Sequence, residues 1–388
     1  MLKMNNIGTL YRFELRKILH RRITVVAIIV VTLLMIAMNI AEYVAGTKII
    51  NREEQSLSGQ PVDNQMLDQM RSAIEPEYVT LEDGTRMAVS FSARNPAYRP
   101  LMDYLTTIGG SIDKAYDMDE KELEKRFCGV IDEALREQQL SNTELDYWQQ
   151  RRTVSPFPLT YGRLQNGWGD SVCIIYVVSL FSMICIAATL SGVFSDEIQL
   201  HTDALILSSR NGKAKLVTAK LLAGITAGML ETIIILLVCV GTEFAISGFG
   251  GGETSVQFFI GPTAMDMTIS RAFWIYTAIM LIIGLLLSVF AMCLSQLCRN
   301  SIAVIAVMMV LWLVSMITPP YSWRLISQVC SYLPVTFLGS WTFSDYRTVS
   351  LFGHVFTILQ AAPIIYVVLA ALMSWLTKLS YSRYQITK

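Results

Sequence analysis

Residues Ser195–Lys220, SDEIQLHTDALILSSRNGKAKLVTAK, decide how this chain is read. They form a short, charged, internally amphipathic link between two apolar runs, each long enough to cross a bilayer. Such a link puts a small rigid handle on one side of a membrane, where something outside the bilayer can grip it.

The composition around the link agrees with a membrane setting. Apolar residues make up 53% of the 388-residue chain and charged residues 16%, against about one quarter charged in soluble domains. A formal net charge of zero gives no reason to expect nucleic acid. Six stretches qualify as spans: Ile23–Tyr43, Ser171–Phe194, Leu216–Ala245, Arg271–Leu297, Ser301–Ile317 and His354–Leu376. The fifth is short and bounded by Pro319-Pro320, and Cys298-Arg299-Asn300 makes a tight hairpin between the fourth and fifth. No small-residue cleavage site follows the first run, so it is expected to stay as an anchored span.

Lys and Arg bias sets the expected orientation. Lys3, Arg12, Arg16, Lys17, Arg21 and Arg22 precede the first span. Arg210, Lys213 and Lys215 lie in the link, Arg299 in the hairpin, and Lys378, Arg383 and Lys388 in the tail. The loop between the third and fourth spans carries Glu253 and Asp266 but no Lys or Arg. The expected fold is therefore a mainly α-helical polytopic membrane protein with six transmembrane helices, both termini cytoplasmic and the 46–170 segment extracellular. Its parts are an amphipathic helix at 1–22, a first span at 23–45, the outer segment, and the remaining spans at 171–378. A tail at 379–388 closes the chain.

The outer segment holds 21 Asp and Glu against 14 Lys and Arg. Tyr78–Phe91 with Asp83-Gly84 at its centre reads as a β-hairpin. Asp119 with Glu122 reads as a capping box before Leu123, Phe127, Val130, Ile131 and Leu135 at helical spacing. Ser141 with Glu144 caps a further helix through Tyr147-Trp148. A small α+β extracellular domain is expected. After Pro319-Pro320, residues 321–334 read as a helix too short to span, lying half-buried on the outer face.

Catalytic signatures are missing from the sequence. It holds no GxxxxGK[ST], HExxH, GxSxG or GxGxxG, and the seven cysteines show no metal spacing. With three histidines, His- or zinc-based catalysis is disfavoured. Gly248-Phe-Gly-Gly-Gly252 reads as a flexible outer loop. Five cysteines fall in or beside spans as small packing groups; Cys128 and Cys330 lie outside, and nothing in the sequence pairs them.

Two features of the third span bear on function. Glu231 sits near mid-membrane, where a charge costs about 2.5–3.5 kcal/mol, so it should face protein or water. It lines a translocation path, binds a cation, or makes an interhelical hydrogen bond. Lys220, about 16 Å away along the helix, is expected to snorkel to the inner interface. Gly224 and Gly228 form a GxxxG that permits close helix approach. Upstream, Tyr11, Leu15, Ile18 and Leu19 share one helical face and Arg12, Arg16 and Lys17 the other, which fits a helix lying on an anionic membrane surface.

Taken in order, these features resemble the permease subunits of bacterial ABC exporters of the type-2 membrane class. The strings that carry the resemblance are Phe13-Glu-Leu-Arg-Lys-Ile-Leu-His-Arg-Arg22, Asp196-Glu-Ile with Asp203-Ala-Leu-Ile-Leu-Ser-Ser-Arg210, Ala219-Lys-Leu-Leu222, and Ser331-Tyr-Leu-Pro334. The resemblance implies that 195–215 is a coupling helix docking on a separate ATP-binding subunit. Leu205, Ile206 and Leu207 would be its apolar knob, with Asp196, Glu197, Asp203 and Arg210 as rim contacts. Phe13, Glu14, Arg16 and Lys17 would belong to a connecting helix that touches the same subunit. It also implies ATP and Mg on that partner and no cofactor on this chain. A second permease copy or a related permease would complete the path in the bacterial cell membrane. Relatives of this shape handle peptides such as lantibiotics, drugs or sodium ions. Many lack an outer domain between the first two spans, and there this chain departs. The rival reading is a membrane-anchored sensor or immunity protein whose outer domain binds a ligand without transport; an intramembrane enzyme is disfavoured.

Overall fold

The computed structural model describes residues 7–44, 57, 59–80, 86–152, 157–162, 167–200, 214–317, 323–351 and 354–383. The chain opens with α1 (Ile7–Leu19) and α2 (Arg22–Val44). An inserted domain follows, made of α3 (Asn64–Ala73), β1 (Ile74–Thr80), β2 (Arg86–Ala93), α4 (Arg99–Gly109), α5 (Ile112–Tyr116), α6 (Glu120–Glu137) and α7 (Asn142–Arg152). The bundle then continues through α8 (Gly167–Leu190), α9 (Gly192–Gln199), α10 (Ala214–Ser247), α11 (Val256–Ile260), α12 (Ile269–Cys298) and α13 (Ser301–Ser315). The last elements are α14 (Arg324–Ser331), β3 (Thr348–Leu351), β4 (His354–Thr357) and α15 (Ile358–Arg383).

Five helices among the described residues are long and apolar enough to cross a membrane: α2, α8 with α9, α10, α12 and α15. The fifth expected span is the exception. Its helix, α13, has 15 residues, about 22 Å at 1.5 Å per residue, short of a ~30 Å hydrocarbon layer. Its end is well satisfied: the hydroxyls of Tyr176 and Thr336 both donate to the Ser315 carbonyl, at 3.0 and 3.3 Å. The last helix begins at Ile358, not His354, because residues 354–357 pair with 348–351 as an antiparallel hairpin. Residues rich in β-branched and aromatic side chains (Val349, Val355, Phe356, Thr357) suit that pairing. The helix then runs on to Arg383, beyond the expected limit of Leu376.

Helices α8, α10 and α12 pack together as the centre of the bundle. There α10 and α12 approach closely. A Cβ on Gly224 would stand 2.2 Å from the Met292 sulfur, and one on Gly228 would stand 2.0 Å from the Ser288 hydroxyl. A third glycine missed by the GxxxG pattern, Gly284 on α12, meets Thr232 in the same way at 2.8 Å. α2 packs against α8 and α10, and a buried polar knob ties it to α10, with the Asn39 amide donating to the Cys239 carbonyl at 3.1 Å and the Thr242 hydroxyl at 2.8 Å.

In the inserted domain the chain's entry and exit meet. Val62 N–H donates to the Leu159 carbonyl at 2.8 Å, and Tyr161 N–H to that of Gln60 at 2.7 Å. The hairpin forms as the alternation predicts, with Thr80 opposite Arg86 and a bulge at Glu77/Tyr78; its Asp83-Gly84 turn lies outside the described residues. The Asp119 carboxylate accepts from Glu122 N–H at 2.7 Å, and Leu123, Phe127, Ile131 and Leu135 are buried while Val130 faces out. The 248–252 loop is fastened rather than loose. Trp168 donates to the Phe249 carbonyl at 2.8 Å, the Phe249 ring stacks on Phe244, and Gly248 and Gly251 take the positive φ that the turn requires. Cys128 and Cys330 are free thiols.

Candidate functional site

The two ends of the 195–215 link are built differently from their surroundings. α8 stops at Leu190 and α9 restarts at Gly192. The Ser295 hydroxyl of α12 sits at that break, donating to the Ser191 carbonyl at 2.6 Å. It also accepts from the amides of Phe194 and Ser195, at 3.1 Å each. One hydroxyl thus satisfies backbone groups that the break would orphan. Asp196 and Glu197 remain within α9, so the link begins while the chain is still helical.

Glu197 anchors the start of the link to two other elements. Its carboxylate is buried and pairs with Lys17 of α1, 2.9 Å away, and with Lys220 of α10. Lys220 does not snorkel. It is fully buried, donates to the Val193 carbonyl at 3.2 Å, and lies 5.3 Å from the centre of the Phe194 ring. The geometry explains the difference: Glu197 folds back across the link and offers a counter-charge closer than water. Glu14 is buried in the same knot, 4.0 Å from Lys17. At its edge Arg21, in the turn between α1 and α2, pairs with Asp196 at 3.2 Å. Three segments far apart in sequence (14–21, 196–197 and 220) meet in one cluster.

α1 accordingly docks on protein as well as facing outward. It packs along α10, and the Tyr11 hydroxyl donates to that of Thr226 at 3.0 Å. Ile18 is buried, whereas Phe13 is 67% exposed and stands on the outer side of the helix. Arg16 is also exposed. The acidic member of the buried face, Glu14, was placed on the connecting helix by its sequence but not inward; a charge at an apolar-face position is legible only once its partners are known.

Asp203, Leu205, Ile206, Leu207 and Arg210 lie outside the described residues. Glu231 is fully buried in the bundle centre, on α10 facing Thr189 of α8. Neither its carboxylate oxygens nor the Thr189 hydroxyl closes a well-formed hydrogen bond among the described residues. Gly224 and Gly228 form the helix contact described above. The knot and Glu231 are on the same helix but are separate sites, as the spacing predicts.

A bundle of membrane-length apolar helices, with an amphipathic helix and a charged link tied together at one end, defines a multi-pass membrane protein of transporter type. Residues 9–328 match the sequence pattern of the ABC-2 family transporter proteins, and the chain belongs to that family. It is thus a transmembrane permease of an ABC transporter, of a family that generally works with a separate ATP-binding subunit. The matched range runs from α1 through α14 and includes the inserted domain. No curated protein and no solved structure matches the chain.

Proposed function

We propose that this chain forms the translocation path of an ATP-driven exporter in the bacterial cell membrane, with six spans, both termini cytoplasmic and the inserted domain extracellular. A separate ATP-binding subunit, carrying ATP and Mg, docks on the 195–215 link and on α1; a second permease copy or a related permease completes the path. The cargo is a peptide of lantibiotic type, a drug or an ion. The observation that carries this reading is the Lys17–Glu197–Lys220 cluster with its Arg21–Asp196 edge. A handle that passes force must be stiff at its root. The cluster ties the link's first turn to the helix on its far side and to α1, so a push on the link moves all three together.

The mechanism follows from that root. Closure of the ATP-binding subunits shifts the link by a few ångströms, and α10 moves with it because Lys220 is buried in the knot. α12 follows α10 through the glycine contacts, and the path opens toward the other side. The test is to tag the C-terminus, purify the complex gently and identify its companions by mass spectrometry. A stoichiometric subunit bearing a phosphate-binding loop, lost on Leu205→Asp with Leu207→Asp, is the expected result. If no such subunit accompanies the chain in several mild detergents, the coupling assignment fails and the sensor or immunity reading takes its place.

A further inference from the structure

At the end of the bundle opposite the knot lies a cavity of about 600 Å³, walled by α7, the stretch before α12 and the start of α15. We propose that it binds an anionic amphiphile, a carboxylate or phosphate head on an apolar body. Its volume falls within the ~300–1,000 Å³ of small-molecule sites. The lining is mainly apolar, contributed by Trp148, Met265, Ile275 and Leu359. Two guanidiniums line it, Arg151 from α7 and Arg271 from α12, and neither forms an ion pair with an acid among the described residues. Arg151 is held in place over the Tyr147 ring, 5.0 Å from its centre. Guanidinium is the cation best suited to grip carboxylate or phosphate through paired hydrogen bonds.

The sign of the charge decides where such a head sits. In this cavity two arginines stand against one acid, Asp266. The adjoining cavity of about 470 Å³ shares Asp266, Met267 and Arg271, but adds Glu253 and the hydroxyl residues Thr160, Ser255 and Thr268. Its lining is mainly polar, so a hydrocarbon tail finds little apolar wall there. The head is therefore seated between Arg151 and Arg271, and the body against Met265, Ile275 and Leu359. Ile275 and Leu359 lie within the first two turns of two membrane-length helices. This is the level at which amphiphiles of a bilayer have their own heads.

The experiment uses the full chain in phosphatidylcholine nanodiscs and a diazirine-bearing dodecanoate probe, with cross-linked peptides mapped by mass spectrometry. Labelling is expected at 147–151, 264–275 and 357–360. Excess dodecanoate or dodecyl phosphate should suppress it about tenfold, as should Arg151→Gln with Arg271→Gln, since a charge-assisted hydrogen bond is worth ~1.5–3 kcal/mol. Ala264→Phe, which fills the cavity and leaves both charges, should suppress it too. Discs enriched in phosphatidylglycerol separate two sources of the same chemistry: suppression there assigns the site to a bilayer lipid, persistence to a free amphiphile. The proposal is overturned if neutral dodecanol competes equally well, if the double variant labels these peptides at full yield, or if they are not labelled. The ATP-binding subunit takes no part in this test, so its outcome is independent of the coupling reading.

Discussion

Lys220 shows how a single buried charge commits the fold around it. With no exposure of its own, it depends on Glu197 and on the Phe194 face for compensation. Removing one partner of a buried pair typically costs ~3–5 kcal/mol, whereas removing both is far milder; here Lys17 keeps one counter-charge beside Glu197, which lowers the cost. Lys220→Met should therefore lower the thermal unfolding midpoint more than the double variant Lys220→Met with Glu197→Gln, as read by tryptophan fluorescence in detergent. Equal midpoints would show that Glu197 carries no penalty once Lys220 is gone, and would overturn this account. Glu231 makes the contrasting case. Its oxygens close no well-formed hydrogen bond among the described residues, so Glu231→Gln, which keeps the shape and removes the ionisable group, should leave the midpoint unchanged or raise it. A large fall would reveal a partner for the carboxylate. Neither environment was legible from residue spacing. Spacing along α10 places Lys220 and Glu231 on a common face, but the carboxylate that holds Lys220 comes from across a link of more than twenty residues.

At the scale of elements, the attachment of the inserted domain to α14 and the β3 strand has a pH dependence of its own. The Glu144 side chain accepts from the amides of Ser141 at 2.7 Å and Thr348 at 2.8 Å, and from Arg324 at 2.7 Å. Burial pushes its carboxyl upward, but those donors outweigh burial and hold it below the ordinary value. A depressed carboxyl stabilises the fold above its unfolded value, near 4, and that contribution is lost as pH falls through the lower folded value. Protection against hydrogen exchange at 142–152 and 324–331, measured relative to the intrinsic rate at each pH, should thus fall as the pH is taken below about 4, and Glu144→Gln should flatten that response. An unchanged response in the variant would place the sensitivity elsewhere. The capping role of Ser141 and Glu144 was readable from their spacing; the reach of Glu144 to Arg324 and Thr348 was not, because those residues lie some two hundred positions further on. Packing at the glycines gives a second element-scale prediction. Gly228→Val drives a branched side chain against Ser288 and Leu190 and should cost ~1–3 kcal/mol. Gly224→Ala should cost less because Met292 is flexible enough to give way. The reverse order of midpoints would show that α10 and α12 do not pack in this register.

For the whole molecule, hydropathy made the helical bundle legible because a bilayer requires long apolar helices with satisfied backbones. The exceptions are where tertiary contacts overrode that demand. α13 is cut short at Ser315, whose carbonyl takes two side-chain donors, and residues 354–357 leave the last span to pair as a strand. The link was found by its charge, but its root is visible only when α1, α9 and α10 are assembled. The remaining question at this scale is sidedness. Outside the inserted domain the sequence places Lys and Arg before α2, in the link, in the Arg299 hairpin and in the tail, while the loop between α10 and α12 has none before Arg271. The proposed six crossings would put both termini on one side and the inserted domain on the other. In a variant without native cysteines, Lys121→Cys, at an exposed position of α6, should react in intact cells with a membrane-impermeant maleimide. A cysteine placed at Lys388 should react only after the membrane is opened. If α13 does not cross, an odd number of crossings remains, and residue 388 and the segment before α1 fall on opposite sides. Adding a third position at Met1 therefore decides the count: equal protection of the Met1 and Lys388 positions establishes six crossings, and labelling of one alone in intact cells establishes five.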